Sequence, residues 1–268
     1  MKKIVFTDLD GTFLNHHDYS YKESLGSLNR LIKSDIPIIF TTSKTRSEVE
    51  ELHELLEINE PFIVENGASI FIPKGYKNKD FSFLESFNEK YYHCKIGEDY
   101  TLVLEFYNKY KDEFSLTGFS SMSTEQIQEL TSLSYEKAKL ASKRDFTEPF
   151  ILKDERKAES LKQEALAYGL TLTKGGRFYH IIGAKQDKGK AVKKTIEIFE
   201  KLFNEKFFSI ALGDGENDLP MLEVVDLPIA IKNHKGLFVE TKNKNLLKST
   251  YQGAKGFKEM ITKCLENY

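Results

Sequence analysis

Five short apolar segments, each followed by polar residues, constrain the fold of this chain more than any other feature. They span residues 4–6, 36–40, 62–64, 207–212 and 228–231. Strands that are apolar on both faces are typical of parallel sheets covered by helices. Segments of helical period lie between them, at 25–32, 49–56, 192–203 and 257–265, and the second is preceded by Thr45 and Glu48 at the spacing of a capping box. This alternation predicts an α/β fold with a Rossmann-like, doubly wound parallel sheet.

The middle of the chain lacks this alternation of apolar strands and helical segments. Residues 84–184 are richer in aromatic and polar side chains, with a helix start at Ser123 and a helix cap at Asp154. Two strand-like segments flank a Gly175-Gly176 turn and predict a β-hairpin. We therefore expect an inserted α+β cap domain at 84–184, and a catalytic core formed by residues 1–83 and 185–268.

Composition excludes several classes of protein. The 39 basic and 41 acidic residues give a formal charge of −2, which argues against a large basic surface for nucleic acid. No apolar stretch approaches the ~20 residues of a membrane span, and the N-terminus has no signal-peptide pattern. The two cysteines, Cys94 and Cys264, fit neither a disulfide framework nor a zinc site. We expect a cytoplasmic protein; the oligomeric state stays open.

Two aspartates follow the first apolar segment, in the motif Asp8-Leu9-Asp10-Gly11-Thr12. Ligand sites of open α/β sheets lie at the carboxyl ends of the strands, so both carboxylates are expected at that edge. In an extended chain their side chains point the same way. The concentrated negative charge favours a cation, and hard oxygen ligands suit Mg²⁺. The alternative is a loop whose aspartates cap a turn beside Gly11.

A second acidic cluster, with the sequence GDGEND at 213–218, follows the apolar segment that ends at Leu212. A Mg²⁺ site requires carboxylates from more than one strand, so Asp214 is the natural further ligand. Asn217 and Asp218 are then expected to orient waters or ligands around the ion. Taken alone, Gly-Asp-Gly is equally compatible with an ordinary tight turn.

Two further segments suit phosphate binding. Thr42 and Ser43 end the second strand, where a hydroxyl and backbone N–H groups can meet a phosphoryl oxygen. Lys188, in the sequence DKGK at 187–190, lies at the entry to a helix and offers a positive charge. Polar residues often follow strands, and an isolated lysine usually faces solvent, so each segment has an ordinary structural alternative. The choice between Thr42 and Ser43 stays open.

Taken together, DLDGT at 8–12, the Thr42-Ser43 strand end, DKGKA at 187–191 and GDGENDLPM at 213–221 resemble the four motifs of the haloacid dehalogenase-like phosphohydrolases. Their order and spacing are similar to the branch with a large α/β cap between the second and third motifs. The resemblance implies that Asp8 is a nucleophile that forms an aspartyl-phosphate. Asp10 then serves as general acid and, in the second step, as general base.

The same resemblance implies the ligands of the phosphate and the metal. It assigns Mg²⁺ to the carboxylates of Asp8 and Asp214 and the backbone carbonyl of Asp10. Lys188, with Thr42 or Ser43, holds the phosphoryl oxygens.

A narrower resemblance concerns the substrate. TSKTR at 42–46, FIVENGA at 62–68, RDFTEPF at 144–150 and GGRFYH at 175–180 are similar to segments of the mannosyl-3-phosphoglycerate phosphatases. Paired arginines suit a carboxylate, while acids, tyrosine and histidine can bond sugar hydroxyls. The candidate substrate residues are Lys44, Arg46, Glu65, Asn66, Arg144, Glu148, Arg177, Tyr179 and His180. Each alternatively ties the chain together, and an Asn-Gly turn explains Asn66 equally well.

The function this implies is Mg²⁺-dependent phosphatase activity on mannosyl-3-phosphoglycerate or a close glycosyl-3-phosphoglycerate, releasing the glycosylglycerate and phosphate. A broader sugar-phosphate phosphatase or a phosphohexomutase is the alternative enzyme. A non-catalytic binding protein on the same fold is expected to have lost one of Asp8, Asp10, Lys188 or Asp214, and all four are present. The preferred glycosyl group and the pathway stay open.

Overall fold

A computed structural model describes residues 1–175 and 178–267, which form thirteen strands and nine α-helices. The strands are β1 (Lys2–Thr7), β2 (Ile38–Thr41), β3 (Phe62–Val64), β4 (Ser69–Pro73), β5 (Glu85–Ser86), β6 (Tyr91–Lys95), β7 (Leu116–Gly118), β8 (Glu148–Leu152), β9 (Leu170–Gly175), β10 (Phe178–Gly183), β11 (Phe207–Gly213), β12 (Leu227–Lys232) and β13 (Leu247–Gln252). The helices are α1 (Leu25–Lys33), α2 (Arg46–Leu56), α3 (Tyr100–Tyr110), α4 (Thr124–Thr131), α5 (Tyr135–Ala141), α6 (Ala158–Leu166), α7 (Lys188–Phe203), α8 (Leu219–Leu222) and α9 (Gly253–Asn267).

The larger sheet has nine strands in the order β13-β12-β11-β1-β2-β3-β4-β6-β5. The six strands from β13 to β3 are parallel, and β4, β6 and β5 are antiparallel additions at one edge. The chain builds the sheet outward from β1 in both directions, first through β2 and β3 and later through β11 to β13. The predicted doubly wound parallel sheet is confirmed.

Apolar side chains cover both faces of this sheet. On β1, Val5 packs into one core with α1, α2 and α9, whereas Ile4 and Phe6 pack into a second core with α7 and α8. All three side chains are almost fully buried, and each such burial contributes about 1.5–3 kcal/mol. Both-face burial explains why these strands read as continuous apolar segments. Among the described helices, none has the length and apolar character needed to cross a bilayer.

Helix starts follow the capping signals in the sequence. At α2, Glu48 N–H donates to Thr45 Oγ1 at 3.1 Å and Thr45 N–H donates to Glu48 Oε2 at 2.9 Å. Ser123 and Gln126 form the same reciprocal pair at α4. Side chains that satisfy these free N–H groups each stabilise a helix by about 1 kcal/mol. Both predicted starts are therefore confirmed.

The smaller sheet is antiparallel, in the order β7-β8-β10-β9. Its outer face packs on α3 and α6 through a core that includes Phe106, Leu161 and Ile181. The predicted hairpin is the β9–β10 pair. Gly176 and Arg177, which we predicted at its turn and in the substrate site, lie outside the described residues.

The first boundary of the insertion differs from the predicted position after residue 83. β6 pairs with β4 and β5 pairs with β6 in the larger sheet, so the chain leaves that sheet only after Lys95. Both residues of β5 are exposed, and β6 begins with buried and half-buried residues in alternation, which is why these antiparallel strands lack the apolar pattern of the parallel strands. The return crossing lies between β10 and α7. There a Cβ built on Gly183 would lie 3.1 Å from both Glu98 N and Gln186 Oε1, so the two crossings run side by side.

Two helical glycines provide a test of how tightly α7 packs. A Cβ on Gly189 of α7 would overlap the backbone carbonyl of Pro220, whereas a Cβ on Gly26 of α1 would meet nothing within 4 Å. We expect Gly189→Ala to lower the free energy of unfolding by about 1–3 kcal/mol through overpacking. The matched control Gly26→Ala should raise it, by up to about 1 kcal/mol. Urea unfolding measures both, and equal effects would contradict this packing.

Candidate active site

The predicted motifs meet at one edge of the larger sheet, where the parallel strands end. Asp8 follows β1, Thr42 follows β2 and Asp214 follows β11. β1 lies between β2 and β11 and is the strand from which the sheet extends both ways. Such a switch point is where open α/β sheets bind ligands. Lys188 begins α7, and its ammonium group reaches the same edge.

Three carboxylates converge at this point. Oxygen atoms of Asp8, Asp214 and Asp218 lie within 4.8 Å of one another, and all three residues are buried. Asp8 and Asp214, which are 206 positions apart in the sequence, therefore share one pocket. The sequence pattern predicted this convergence for Asp8 and Asp214. It predicted Asp218 only as a residue that orients waters or ligands around the ion.

Burial and repulsion between neighbouring carboxylates raise the pKa values of Asp8 and Asp214. Burial, followed by the charge of Asp218, raises the pKa of Asp8 to about 7. Burial, followed by the charge of Asp8, raises the pKa of Asp214 to about 8. Carboxylates held together at such a cost are typical of a cation site.

Lys188 supplies one positive charge to the cluster. Its Nζ donates to Asp8 Oδ1 at 2.7 Å and to Asp218 Oδ1 at 2.6 Å, and the side chain is fully buried. Burial lowers its pKa, but the charges of Asp218 and Asp8 outweigh this effect and raise the pKa overall. The other oxygen of Asp218 accepts from the N–H groups of Asp214 and Gly215, both at 3.0 Å. Asp218 therefore fixes both the ammonium group and the loop that carries Asp214.

Asp214 lies directly against the backbone of the DLDGT motif. Gly11 has φ +82°, and a Cβ there would overlap Asp214 Oδ2. Only glycine adopts this backbone conformation at little cost and leaves room for the carboxylate. Thr12 Oγ1 donates to Asp214 Oδ1 at 3.4 Å. The donor set of carboxylates and nearby backbone oxygens is the chemistry that a hard divalent cation selects.

Asp10 lies outside the carboxylate cluster and is held by Lys44. Lys44 Nζ lies 3.0 Å from Asp10 Oδ2 and 3.5 Å from Glu48 Oε1. Asp10 Oδ1 is buried and has no hydrogen-bond partner among the described residues. Lys44, which we predicted to bind substrate, is therefore engaged by the chain itself.

The loop after β2 has one hydroxyl suited to an anion. Thr42 Oγ1 accepts from Lys44 N–H at 3.1 Å, so its own proton stays available to donate. The backbone carbonyl of Ser43 accepts from Arg144 Nη1 at 2.8 Å. Arg144 therefore joins the smaller sheet's region to the candidate phosphate loop.

The Glu65 carboxylate is bonded to the protein's own backbone. A substrate ligand would instead be expected to face a solvent-filled pocket. The fully buried carboxylate of Glu65 accepts from Asp145 N–H at 2.9 Å, Phe146 N–H at 3.3 Å and Thr147 N–H at 2.8 Å. The Thr147 hydroxyl donates to it as well, at 2.7 Å. Burial raises the pKa of Glu65, and Arg144, 3.9 Å away, opposes that effect. Glu65 therefore clamps the 145–147 segment, and its predicted substrate role stays a prediction.

The turn that carries Glu65 also contacts the second crossing and the acidic loop. Glu65 and Asn66 both adopt left-handed backbone conformations, with φ of 49° and 59°. Gln186 Nε2 donates to the Glu65 carbonyl at 2.9 Å, and Asn217 Nδ2 donates to Asn66 Oδ1 at 3.2 Å. Asn66, predicted as a substrate ligand, thus positions Asn217 beside the acidic cluster.

Three further candidates have partners within the protein. Arg46 donates to Glu50 Oε1 at 2.9 Å and to Asp145 Oδ2 at 3.2 Å. Glu148 accepts from Tyr100 and Ser120, and Tyr179 packs on the Phe150 ring, within the core under α3 and α6. The strand alternation turns Glu148 and Tyr179 toward the helices, and the predicted sugar contacts of all three residues stay predictions.

Arg144 and His180 each keep an unsatisfied polar atom. Arg144 Nε and His180 Nδ1 are buried, and neither has a partner in the described part of the chain. Burial and the Arg144 charge lower the pKa of His180 to about 3, so the imidazole is neutral. Unpaired buried donors and acceptors are costly and are typical of ligand sites. Of the cap residues that the structure describes, these two retain free recognition groups.

Sequence reasoning missed Glu48, Gln186 and Thr147. Glu48 was identified only as a helix cap, although its position four residues after Lys44 also predicts an ion pair. The partners of Gln186 and Thr147 lie 121 and 82 residues away in the chain. No local pattern in the sequence indicates such contacts.

The Glu65 clamp is testable by its effect on stability. Glu65→Gln replaces one accepting oxygen with an N–H₂ group that faces backbone donors. We expect the free energy of unfolding to fall by about 2–3 kcal/mol. Glu54→Gln, an exposed residue of α2, is the matched control and should change it by less than about 0.5 kcal/mol. A loss as small as the control's, measured by urea unfolding, would rule out the clamp.

Comparison with known proteins agrees with this geometry. The family described as haloacid dehalogenase-like hydrolase matches residues 5–253. A Persephonella marina protein named glucosyl-3-phosphoglycerate/mannosyl-3-phosphoglycerate phosphatase is 45% identical over 98% of this chain and 97% of its own length. A Methanococcoides burtonii protein of the same name is 42% identical over 89% of this chain and 88% of its own.

The fold has solved counterparts as well. The structure of a haloacid dehalogenase-like hydrolase from B. subtilis aligns with a TM-score of 0.68 and 19% identity. The alignment covers 97% of this chain and 99% of that one. At this identity the likeness concerns the fold alone, and it extends over the core and the insertion together.

Proposed function

Because the chain belongs to the haloacid dehalogenase-like hydrolase family and is a phosphoric monoester hydrolase, we propose that it hydrolyses a glycosyl-3-phosphoglycerate. The products are the glycosylglycerate and inorganic phosphate. Mannosyl-3-phosphoglycerate and glucosyl-3-phosphoglycerate are the candidate substrates, since both occur in the names of relatives with 45% and 42% identity. The observation that carries the chemistry is the convergence of Asp8, Asp214 and Lys188 at the switch point of the sheet.

In the first step, a carboxylate oxygen of Asp8 attacks phosphorus and the bond from phosphorus to the ester oxygen breaks. Asp8 then carries the phosphoryl group as an aspartyl-phosphate. The Lys188 ammonium, 2.7 Å from Asp8 Oδ1, lies where it can balance the charge of the transferred group. The Thr42 hydroxyl is the better candidate to donate to a phosphoryl oxygen, since its proton is available.

Asp10 is the proton donor of the first step and the proton acceptor of the second. It donates a proton to the departing ester oxygen, which leaves as an alcohol. It then takes a proton from water as the water oxygen attacks phosphorus, and the bond to Asp8 breaks to release phosphate. Its unpartnered Oδ1 suits this exchange.

We assign Mg²⁺ to the acidic pocket, held by the carboxylates of Asp8 and Asp214 and the backbone carbonyl of Asp10. The fit rests on the crowding of the buried carboxylates, whose charge exceeds that of Lys188 alone. When bound, the ion neutralises this excess and polarises the phosphoryl group. Asp218 and Asn217 support the pocket from outside.

The insertion is the proposed specificity cap, spanning about 96–184 by sheet membership. Arg144 and His180 are its candidate ligands for the glycerate carboxylate and a sugar hydroxyl, because their free polar atoms lie on the side that meets the phosphate loop. Arg177 stays a predicted carboxylate ligand from the sequence.

A substrate panel tests the proposed activity. Phosphate release should be at least about tenfold more efficient, in kcat/KM, with mannosyl- or glucosyl-3-phosphoglycerate than with hexose phosphates or 3-phosphoglycerate. Asp8→Asn is the control and should abolish release, because it removes the nucleophile. Similar efficiency across all sugar phosphates would favour the broader phosphatase. Transfer to a second sugar position without phosphate release would favour a phosphohexomutase.

The metal assignment predicts a pH dependence of ion affinity. Without the ion, the pKa of Asp8 is about 7 and that of Asp214 about 8, so Mg²⁺ must displace protons at lower pH. Affinity should therefore rise from about pH 6 to about pH 9, by up to tenfold per pH unit for each proton displaced. Calorimetric titration in two buffers measures the proton release. Exposed Glu216→Gln should not change the affinity, whereas Asp214→Asn should weaken it; a pH-independent affinity would contradict the assignment.

A further inference from the structure

The two carboxylate oxygens of Asp10 are in different environments. Oδ2 lies 3.0 Å from Lys44 Nζ. Oδ1 is buried and has no partner in the described ranges 1–175 and 178–267. One oxygen is therefore anchored, and the other is left for a molecule outside the chain.

Lys44 is itself held in place from two sides. Glu48 Oε1 lies 3.5 Å from its Nζ, and the Tyr19 ring centroid lies 5.2 Å from it. Glu48 is held in turn, because Thr45 N–H donates to its Oε2 at 2.9 Å. The lysine side chain is 14% exposed and the Glu48 side chain 10%. This is a fixed ion pair, unlike the mobile pairs of a protein surface.

We propose that Lys44 is a positioning residue that orients Asp10 for proton transfer to the ester oxygen. The terminal torsion of an aspartate is broad, so an unanchored carboxylate samples many orientations. Lys44 holds Oδ2 and leaves Oδ1 as the oxygen that carries the proton. The proposal rests on the proposed role of Asp10 as general acid, and it replaces the substrate contact that the sequence suggested for Lys44.

The same turn is linked to the cap. The Thr45 hydroxyl donates to the backbone carbonyl of Leu140 in α5 at 3.0 Å. Arg46 pairs with Asp145 at 3.2 Å. Thr45, whose N–H holds Glu48 beside Lys44, therefore also contacts the insertion, so the anchor of Asp10 is connected to the proposed cap.

The leaving group distinguishes positioning from phosphate binding. An alcohol needs a proton to depart, whereas p-nitrophenolate departs without one. Lys44→Met keeps the length of the side chain and removes the charge. We expect kcat/KM, which reports the transfer to Asp8 and not the later hydrolysis of the aspartyl-phosphate, to fall about 10²-fold for an alkyl phosphate substrate, as for loss of general acid catalysis. We expect kcat/KM for p-nitrophenyl phosphate to fall less than about threefold, because its leaving group needs no proton in that step.

Three companion variants make the comparison sharp. Lys44→Arg retains a cation. Its kcat/KM for the alkyl phosphate should be at least about tenfold higher than that of Lys44→Met. Lys137→Met, an exposed lysine of α5, is the matched control and should match the wild-type enzyme on both substrates. Asp10→Asn should show the same dependence on the leaving group, and Lys44→Met should add nothing further in that background. Should Lys44→Met fail to fold by circular dichroism, Lys44→Gln takes its place in the same comparison.

Several outcomes would overturn the proposal. Equal losses on the alkyl and aryl substrates would make Lys44 a ligand of the phosphoryl group or a purely structural residue. A raised KM with unchanged kcat would make it a substrate ligand, and no loss at all would make it dispensable. If Asp10→Asn lowers kcat/KM of both substrates alike, the role of Asp10 as general acid fails and this proposal fails with it. Failure of the proposed substrate is seen separately, in the wild-type enzyme, because any alkyl phosphate that it hydrolyses serves in this comparison.

Discussion

The repulsion among three buried carboxylates at the end of β1 is the constraint around which the rest of the structure is arranged. Asp8, Asp214 and Asp218 bring more negative charge to one pocket than Lys188 balances. Such an arrangement persists only if the surrounding fold is rigid enough to hold it. The parallel sheet, packed on both faces, supplies that rigidity, and it delivers the acids from strands that are far apart in the sequence.

The cap depends on a second buried charge. Glu65 lies at the end of β3, yet its carboxylate accepts hydrogen bonds only from the 145–147 segment of the insertion. Because a buried carboxylate without donors is costly, the core and the cap stabilise each other through it. The left-handed turn at Glu65 and Asn66 then extends the connection to Asn217, next to the acidic pocket. One short turn therefore connects the insertion to the acidic pocket.

The sequence was sufficient for features that local chemistry determines. Strands apolar on both faces, the Thr45 helix cap and the acids after β1 and β11 all follow from spacing and side-chain type. It was insufficient where the partner is distant or the pattern is ordinary. Strands β5 and β6 are antiparallel and lie at the sheet edge. The side chains of Glu65, Glu148 and Lys44 have hydrogen-bond or ion-pair partners elsewhere in the chain. The sequence around a charged residue in a recognised motif does not indicate whether its partner is a ligand or a backbone N–H.

The two crossings between the sheets lie next to each other, where Gly97 and Gly183 both approach the side chain of Gln186. A body tethered at two adjacent points can swing about the line that joins them, but it cannot slide along the surface beneath it. The insertion is therefore restrained against translation relative to the larger sheet by the chain itself, and rotation about the two crossings is the motion that this connection leaves open.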